Sequence, residues 1–496
     1  MQITKKRVAI FFSLGLLAII EVSCKPTFLV FEAWLNDRHD CSATPPGFID
    51  DAGRLNQTAV VEIVDVPVDP AAAEEQLRQL LHQARKEKLG VSIAGAKHSM
   101  GGHVICPDGI VLNMLPLARM DLDAPNRLLR VGAGARWSAV IPYLDSHGFS
   151  PLIMQSNNDF SVGGSLSVNC HGWQVNQPPI ASSVESLRVM RADGEVVRCS
   201  RNENGELFSL VLGGYGLFGI ILEAELRVVL NERYRPEAEV VSTARYAARF
   251  AASIDEQTPM VYGRLCVVAG EFYLKEAILT RFRKAPCQED EIPKLGGLGY
   301  TGLRREVFRA QIGSDAGKEL RWKLEKHIGE SVRTKLFSRN QLFNDPAETY
   351  QEQNADRTDI LHEYFIPPAR LEEFLARIRP IIPRHKVDLL NVTLRQVLED
   401  TDTRLRYADQ EMFALVMLFN HSRKASAEPI MEAFTREMID AVLASGGRYY
   451  LPYRLHATRD QFHAAYPQAA EFFAKKRQYD PDGLFKNQFY LKYGTP

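Results

Sequence analysis

The residues best suited to chemistry gather in three glycine-rich clusters and one tyrosine- and histidine-rich tail. The first cluster is Ser92 to His103, S-I-A-G-A-K-H-S-M-G-G-H. Its small residues, Ala94, Gly95, Ala96, Ser99, Gly101 and Gly102, let backbone approach a ligand closely and can turn successive N–H groups into one concavity, a common way to hold phosphate. This stretch has neither the Gly-x-x-x-x-Gly-Lys-[Ser/Thr] nor the Gly-x-Gly-x-x-Gly spacing, so those two phosphate-binding mechanisms do not apply to it. The second cluster, Ser161 to Gly172, again mixes glycines (Gly163, Gly164) with hydroxyl residues such as Ser165 and ends on Cys170-His171-Gly172. The third is Gly213-Gly214-Tyr215-Gly216-Leu217-Phe218-Gly219, which runs into Ile220. Late in the chain Tyr450, Tyr453, Arg454, His456 and Asn487 supply polar side chains, as does Arg395 further upstream. Tyrosine or histidine can take a proton from a substrate hydroxyl, and arginine can steady an oxyanion or orient a polar ligand. Arg454 and His456 lie two residues apart, which puts them on the same side of an extended segment.

The elements that must position these groups follow from periodicity and turn signals. Val60 to Val64 reads as a strand, and Asp69-Pro70 opens a helix through Lys88 with Leu77, Leu80, Leu81 and Ala84 on one face. Val91 to Ala94 is a strand into the first cluster, Ile110 to Met114 another, Leu128 to Gly134 a strand and turn, and Trp137 to Gly148 an amphipathic helix. Val184 to Arg191 and Val196 to Ser200 form a hairpin whose Asp193-Gly194 favours a type I′ turn. Leu207 to Leu212 is helical, and Ile220 to Val229 is a strand. Further on, strands at Leu361 to Ile366, Asn391 to Val397 and Met412 to Phe419 alternate with helices at Ala369 to Ile378 and Pro429 to Leu443. That order suits an antiparallel sheet with helices on one face, with a connector around Pro293 to Gly302.

Composition sets the outer limits. The 496 residues suffice for two or more domains, and 45% hydrophobic with 24% charged residues is ordinary for a globular chain. A net charge of −1 without any dense basic run argues against a nucleic-acid partner. The 7 cysteines are scattered, with no Cys-x-x-Cys pair and no Cys/His metal spacing, so single buried thiols are expected and no metal site. Lys5-Lys6-Arg7 precedes the apolar run Val8 to Ile20 and a second apolar patch at Thr27 to Trp34. That pattern predicts an N-terminal membrane anchor with the body on the extracytoplasmic side, or a secretory signal that is cleaved.

Taken in order, Gly-Ala-Lys-His-Ser-Met-Gly-Gly, Val-Gly-Gly-Ser-Leu-Ser, and Asp-Gly-Glu-Val-Val followed by Leu-Phe-Ser-Leu-Val-Leu-Gly-Gly-Tyr-Gly-Leu-Phe-Gly-Ile-Ile resemble the FAD-binding (PCMH-type) domain of the vanillyl-alcohol oxidase superfamily. Cytokinin dehydrogenases, aldonolactone oxidases and decaprenylphosphoryl-ribose oxidase share that fold. The resemblance covers about residues 57 to 230 and the last fifty, where Asp-Pro-x-x-x-Phe-x-Asn looks like the family's return to the flavin domain. It implies an α+β, two-subdomain FAD-binding fold: N-terminal anchor and linker start 1–41, linker 42–56, FAD-binding domain 57–230, an inserted antiparallel-sheet cap 231–445, and a C-terminal segment 446–496 completing the flavin domain.

The resemblance also implies roles. Ala94, Gly95, Ala96, Lys97, His98 and Ser99 would hold the FAD pyrophosphate, with Gly163, Gly164 and Ser165 approaching from the opposite side and Gly214, Gly219 and Ile220 serving the adenosine end; Asn487 joins the cofactor-binding set. His98 sits where histidyl-linked members carry their histidine, so it would either bond the flavin covalently or only line its pocket. His171 matches the Thr-His-Gly of aldonolactone-type members, or is a hydrogen-bonded core histidine. His103 is expected to be structural. Cytokinin dehydrogenases place an aspartate where this chain has Ser156, and decaprenylphosphoryl-ribose oxidase a lysine where this chain has Tyr453; both departures count against those substrates. The implied function is a FAD-dependent oxidoreductase that oxidises a CH–OH group of a sugar, polyol, lactone or polyprenyl-linked sugar, with Tyr453, His456, Arg454 and Arg395 as catalytic candidates. Its partners would be a small-molecule substrate, oxygen or another electron acceptor, and a membrane. The alternatives are a flavin-dependent C=C reductase and a non-catalytic scaffold.

Overall fold

The first helix forms where the sequence marks it. Asp69 accepts a hydrogen bond from Ala72 N at 2.9 Å, Pro70 occupies the first helical turn, and the helix Pro70–Glu87 buries Ala73, Leu77, Leu81 and Ala84. It crosses between parallel strands, giving a three-stranded sheet in the order Glu62–Asp65, Ile110–Asn113, Val91–Ala94. The glycine loop leaves the carboxyl end of Val91–Ala94, the edge at which α/β sheets bind ligands. This computed structural model describes residues 27–37, 43–286, 292–296, 301–331, 335–347 and 350–495. The apolar run Val8 to Ile20, part of the Pro293–Gly302 connector, and Cys24, Cys41 and Cys287 lie outside the described residues; Cys106, Cys170, Cys199 and Cys266 are free and buried.

A second, antiparallel sheet follows in the order Val196–Ser200, Val184–Met190, Ile220–Leu230, Leu128–Gly132, Met120–Asp123, and Phe149–Pro151 pairs with the far end of Ile220–Leu230. The hairpin register pairs Val196 with Met190, but its turn differs from the expected one. Gly194 N donates to Arg191 O, and positive φ is confined to Gly194 at +84°, so the turn is not the doubly left-handed type I′. One left-handed residue suffices because Glu195 O accepts from Arg191 N and widens the loop by a residue.

The chain then builds an eight-stranded antiparallel sheet, ordered Phe337–Ser338, Arg233–Ser242, Glu276–Lys284, Met260–Leu265, Asp388–Val397, Met412–Ser422, Arg357–Ile366, Arg448–Tyr449. Helices Thr243–Ser253, Leu371–Arg384 and Glu428–Ala444 pack on one face, through contacts such as Phe250 on Phe413, Tyr364 on Phe374 and Phe419 on Phe434. The expectation of helices on one face only is corrected here. Asp315–Ser331 packs on the opposite face, where Trp322 clusters with Cys266 and Ile278 and donates to Glu276 Oε1 at 3.1 Å. A strand with apolar residues on both sides needs cover on both sides.

After the cap, the tail returns to the first sheet. Val91 N donates to Leu484 O at 2.7 Å and Lys486 N to Val91 O at 3.0 Å, a parallel bridge at the sheet edge. Among the described residues no helix is long and apolar enough to cross a membrane.

Candidate active site

Between the glycine loops and the inner face of the cap sheet lies a cavity of about 1070 Å³. Small-molecule pockets run from about 300 to 1,000 Å³, so this one can take a large cofactor with a substrate beside it. Its floor contains Gly95 to Ser99, Gly163 to Ser165, Tyr215, Gly216 and Gly219. Its roof is the alternate-residue stripe of the cap strands, with Tyr262 and Arg264, Asn391, Thr393 and Arg395, and Asp359, Leu361 and Glu363.

The first two clusters meet side by side. A Cβ on Gly95 would stand 2.0 Å from Ser161 Oγ, and one on Gly163 2.8 Å from the Ala133 Cβ, so neither loop could take its path with a larger residue. Ala96 N donates to Ser161 Oγ at 3.2 Å. Lys97 adopts φ +58°, and the N–H groups of Gly95, Lys97 and Ser99, all in residues lining the cavity, make no hydrogen bond with any described residue. Unpaired backbone donors around a left-handed residue form an anion nest. His98 lies at the same wall, its ring stacked on Phe160 with centroids 4.1 Å apart and its Nε2 3.6 Å from Asp159 Oδ2. Ser165 accepts from Trp137 Nε1 at 2.9 Å and donates to Gln155 Oε1 at 2.9 Å, which fixes the second loop from below.

Beside the loops, buried His171 and Glu363 and half-buried Tyr453 form one unit, with the Tyr453 backbone packed against Gly101. His171 Nε2 contacts Glu363 Oε1, and Tyr453 Oη donates to Glu363 Oε2 at 3.0 Å. Burial first, and the Glu363 charge second, push the Tyr453 phenol well above its ordinary range, so it stays protonated at neutral pH. Arg395 stands beside them on the same face of the strand Asp388–Val397. Its guanidinium makes no hydrogen bond or ion pair with any described residue, and its Nε is buried. Burial lowers its pKa, with Glu363 working the other way.

Several sequence-predicted residues sit elsewhere. Arg454 and His456 do face one side, as their spacing requires, but it is the side away from the cavity. Both meet Glu428, and His456 Nδ1 lies 2.8 Å from Thr435 Oγ1 while Arg454 Nη1 donates to Asn56 Oδ1 at 2.7 Å. Asn487 does not line the cavity either; its Nδ2 donates to His103 O at 3.0 Å and Tyr215 O at 2.8 Å, and its Oδ1 accepts from Tyr490 N at 3.0 Å, tying the tail to two loops. Gly214 packs where a Cβ would lie 1.9 Å from Leu210 O, outside the lining. Ile220 and Ala94 point into core clusters, because strand alternation presents Ile221 to the cavity in place of Ile220. His103, expected to be structural, is buried and stacked between Tyr215 and Phe489 at the cavity edge, and burial lowers its pKa to about 3.

Glu363 was absent from the sequence reading. Its signal was a lone carboxylate in the otherwise apolar run Tyr364-Phe365-Ile366 and its neighbours, a position that is rarely acidic without a task.

Two glycine loops lining one wall, the first with unpaired N–H donors, together with a proton-bearing cluster in a cavity this large, suit a phosphate-bearing cofactor with a small molecule beside it. Residues 68–200 match the FAD binding domain family. The chain is 23% identical over 432 residues to decaprenylphosphoryl-β-D-ribose oxidase of Mycolicibacterium smegmatis, covering 82% of this chain and 90% of that one. It is 25% identical over 462 residues to cytokinin dehydrogenase 10 of rice, covering 84% and 82% respectively. A shorter match to mouse L-gulonolactone oxidase is 29% identical over 155 residues, 31% of this chain and 35% of that one. The chain carries a FAD binding domain, is similar to FAD-binding (PCMH-type) oxidoreductases over most of its length, and is a FAD-dependent enzyme.

Proposed function

We propose that this enzyme oxidises a CH–OH group of a small polar molecule, of the sugar, polyol, lactone or polyprenyl-linked sugar kind. The observation that carries this reading is the His171–Glu363–Tyr453 unit lining the same cavity as the glycine loops. FAD, held here, would supply the redox chemistry, with oxygen or another acceptor taking the electrons. The nest at Gly95, Lys97 and Ser99 would hold its diphosphate, Gly163 and Gly164 would lie against it from the other side, and His98 would be the point of covalent attachment.

Tyr453 does not act as an ionised base, since its phenol is held protonated. The substrate hydroxyl proton passes to Tyr453 Oη as the phenol proton passes to Glu363 Oε2, and the neighbouring His171 Nε2 shares the change. Arg395, with no carboxylate of its own, orients the substrate by charge. Tyr453→Phe and Glu363→Gln are expected to slow anaerobic flavin reduction by a reactive polyol or sugar by about 10²- to 10⁴-fold with FAD content unchanged. Reduction at the wild-type rate in both variants sinks the relay. For His98, acid precipitation of the protein should carry yellow flavin into the pellet, and His98→Ala should release it; flavin that stays bound in His98→Ala places the link elsewhere.

We also propose attachment to a membrane through the N-terminal segment, with the body on the extracytoplasmic side. The support is the basic-flanked run Val8 to Ile20 and the helix over residues 27–36, which exposes Phe28, Phe31, Trp34 and Leu35. The full chain should remain with membranes after a carbonate wash, and loss of residues 1–41 should release it. A full chain that appears in the medium with a shortened N-terminus would favour a cleaved signal.

A further inference from the structure

Three arginines, Arg264, Arg321 and Arg395, line the cavity, and Glu325 is the one carboxylate bonded to any of them among the described residues. Arg264 and Arg321 share the single carboxylate of Glu325, whose Oε2 lies 3.8 Å from Arg264 Nε and whose Oε1 accepts from Arg321 Nε at 2.9 Å. They also share Asn391 Oδ1, which accepts from both guanidinium groups. Arg321 spends its remaining donor on Leu390 O at 3.2 Å, whereas Arg264 Nη2 makes no hydrogen bond with any described residue. Arg264 pairs in register with Thr393, so Arg395 is its diagonal neighbour on the cavity face, with Cβ atoms about 7–8 Å apart. Each of the two cations works against the other's charge in a site withdrawn from water. Glu363 offsets part of the Arg395 charge without hydrogen-bonding to it, its oxygens being engaged by His171 and Tyr453.

Two half-buried guanidinium groups on neighbouring strands, one with a free Nη2 and the other with no bond to any described residue, are matched by an oxyanion that accepts from both. We propose that Arg264 and Arg395, backed by Arg321, form a seat for an anionic group of the substrate, a carboxylate or a phosphate. This rests on the reading of the cavity as the site of substrate oxidation and narrows the substrate class to acids and phosphorylated derivatives of sugars and polyols. The anionic group docks beside the His171–Glu363–Tyr453 unit and fixes which carbon is presented to the cofactor.

The test uses the holoenzyme with FAD bound, titrated with inorganic phosphate and separately with a short-chain carboxylate, at constant ionic strength maintained with chloride. Saturable perturbation of the flavin visible spectrum, together with a rise in the unfolding temperature, is expected. Arg264→Met should weaken it at least about tenfold, a change of about 1.4 kcal/mol. Glu325→Gln, which removes the shared counter-charge while keeping its shape, should tighten it; a merely structural role for Glu325 would weaken binding or leave it unmoved. Tighter binding of phosphate esters than of sugar acids would assign the group as phosphate, and the reverse order as carboxylate. Absence of saturable anion binding, or binding indifferent to both variants, overturns the seat. If phosphate binds as described but no sugar or polyol, charged or neutral, reduces the flavin, the seat stands and the oxidation reading falls. If neutral polyols reduce it as fast as anionic ones and no anion binds, the oxidation reading stands and the seat falls.

Discussion

At the scale of single residues, the site is built from groups whose ordinary behaviour is altered by burial. Tyr453 is the clearest case: a tyrosine readable in the tail has its phenol held protonated by burial and by a glutamate that meets it from a cap strand. The same physics acts on histidines outside the chemistry. Burial lowers His103 and His362 from 6.5 to about 3, so the unfolded chain takes up protons below pH 6.5 that the folded protein refuses. Stability must therefore fall as pH drops from 6.5 toward 3, by about 2 kcal/mol per such histidine between pH 7 and pH 5. Glu428 adds to the loss further down. Burial alone would raise its carboxyl, but hydrogen bonds from His421 and His456 and the Arg454 charge outweigh it and hold it far below the carboxylate range. Its contribution is present above about pH 4.5 and disappears as pH falls. Urea unfolding of His362→Gln at pH 7 and pH 5 should show a difference between the two pH values smaller by about 2 kcal/mol than in the wild type; an unchanged difference would mean that His362 is not the neutral group inferred.

At the scale of elements, the glycine loops act by proximity. Gly95→Ala inserts a methyl group 2.0 Å from Ser161 Oγ. Overpacking of this kind costs about 1–3 kcal/mol. The two loops must part to relieve it, so FAD retention should suffer more than thermal stability; quantifying bound flavin in purified protein and comparing unfolding temperatures separates the two, and full flavin occupancy would refute the close-contact argument. These loops were legible in the sequence because their chemistry is local. Asp69, Pro70 and the apolar spacing through Ala84 likewise fixed the helix Pro70–Glu87 nearly to its ends. What the sequence left obscure depends on contacts between distant segments. The helices Thr301–Arg309 and Asp315–Ser331 follow a polar connector, and nothing local says that Trp322 will cover Ile278 from the cavity side. Arg454 and His456 were rightly paired, but a two-residue spacing states only that they share a side, and the side is chosen by Glu428 on a helix some 26 residues away. Glu363 is the same lesson in reverse, since its role exists only once His171 and Tyr453 arrive from opposite ends of the chain.

At the scale of the whole molecule, the flavin lobe is held shut by the tail. Asn487 satisfies two buried carbonyls, His103 O and Tyr215 O, and caps the final helix. Asn487→Ala leaves those acceptors buried without a donor, at about 1–3 kcal/mol each. A drop of about 2–4 kcal/mol in unfolding free energy is expected, with the cavity-side relay intact, and a loss below 0.5 kcal/mol would show that the tail is held by other contacts. The tail also brings Tyr450, Pro452 and Tyr453 to the cavity wall after the cap sheet has intervened in the sequence.

That returning tail sets a timetable for biosynthesis. The segment that bridges to Val91 and carries Tyr453 to the glycine loops is made more than 350 residues after the first of those loops. Until it emerges, the first sheet lacks its edge partner and the cavity lacks a wall, so a growing chain can fold its first lobe and its cap without possessing a finished cofactor site. Flavin loading is therefore expected to wait for this segment, and a chain stopped short of Leu484 is expected to leave the ribosome as an apoprotein however much FAD surrounds it.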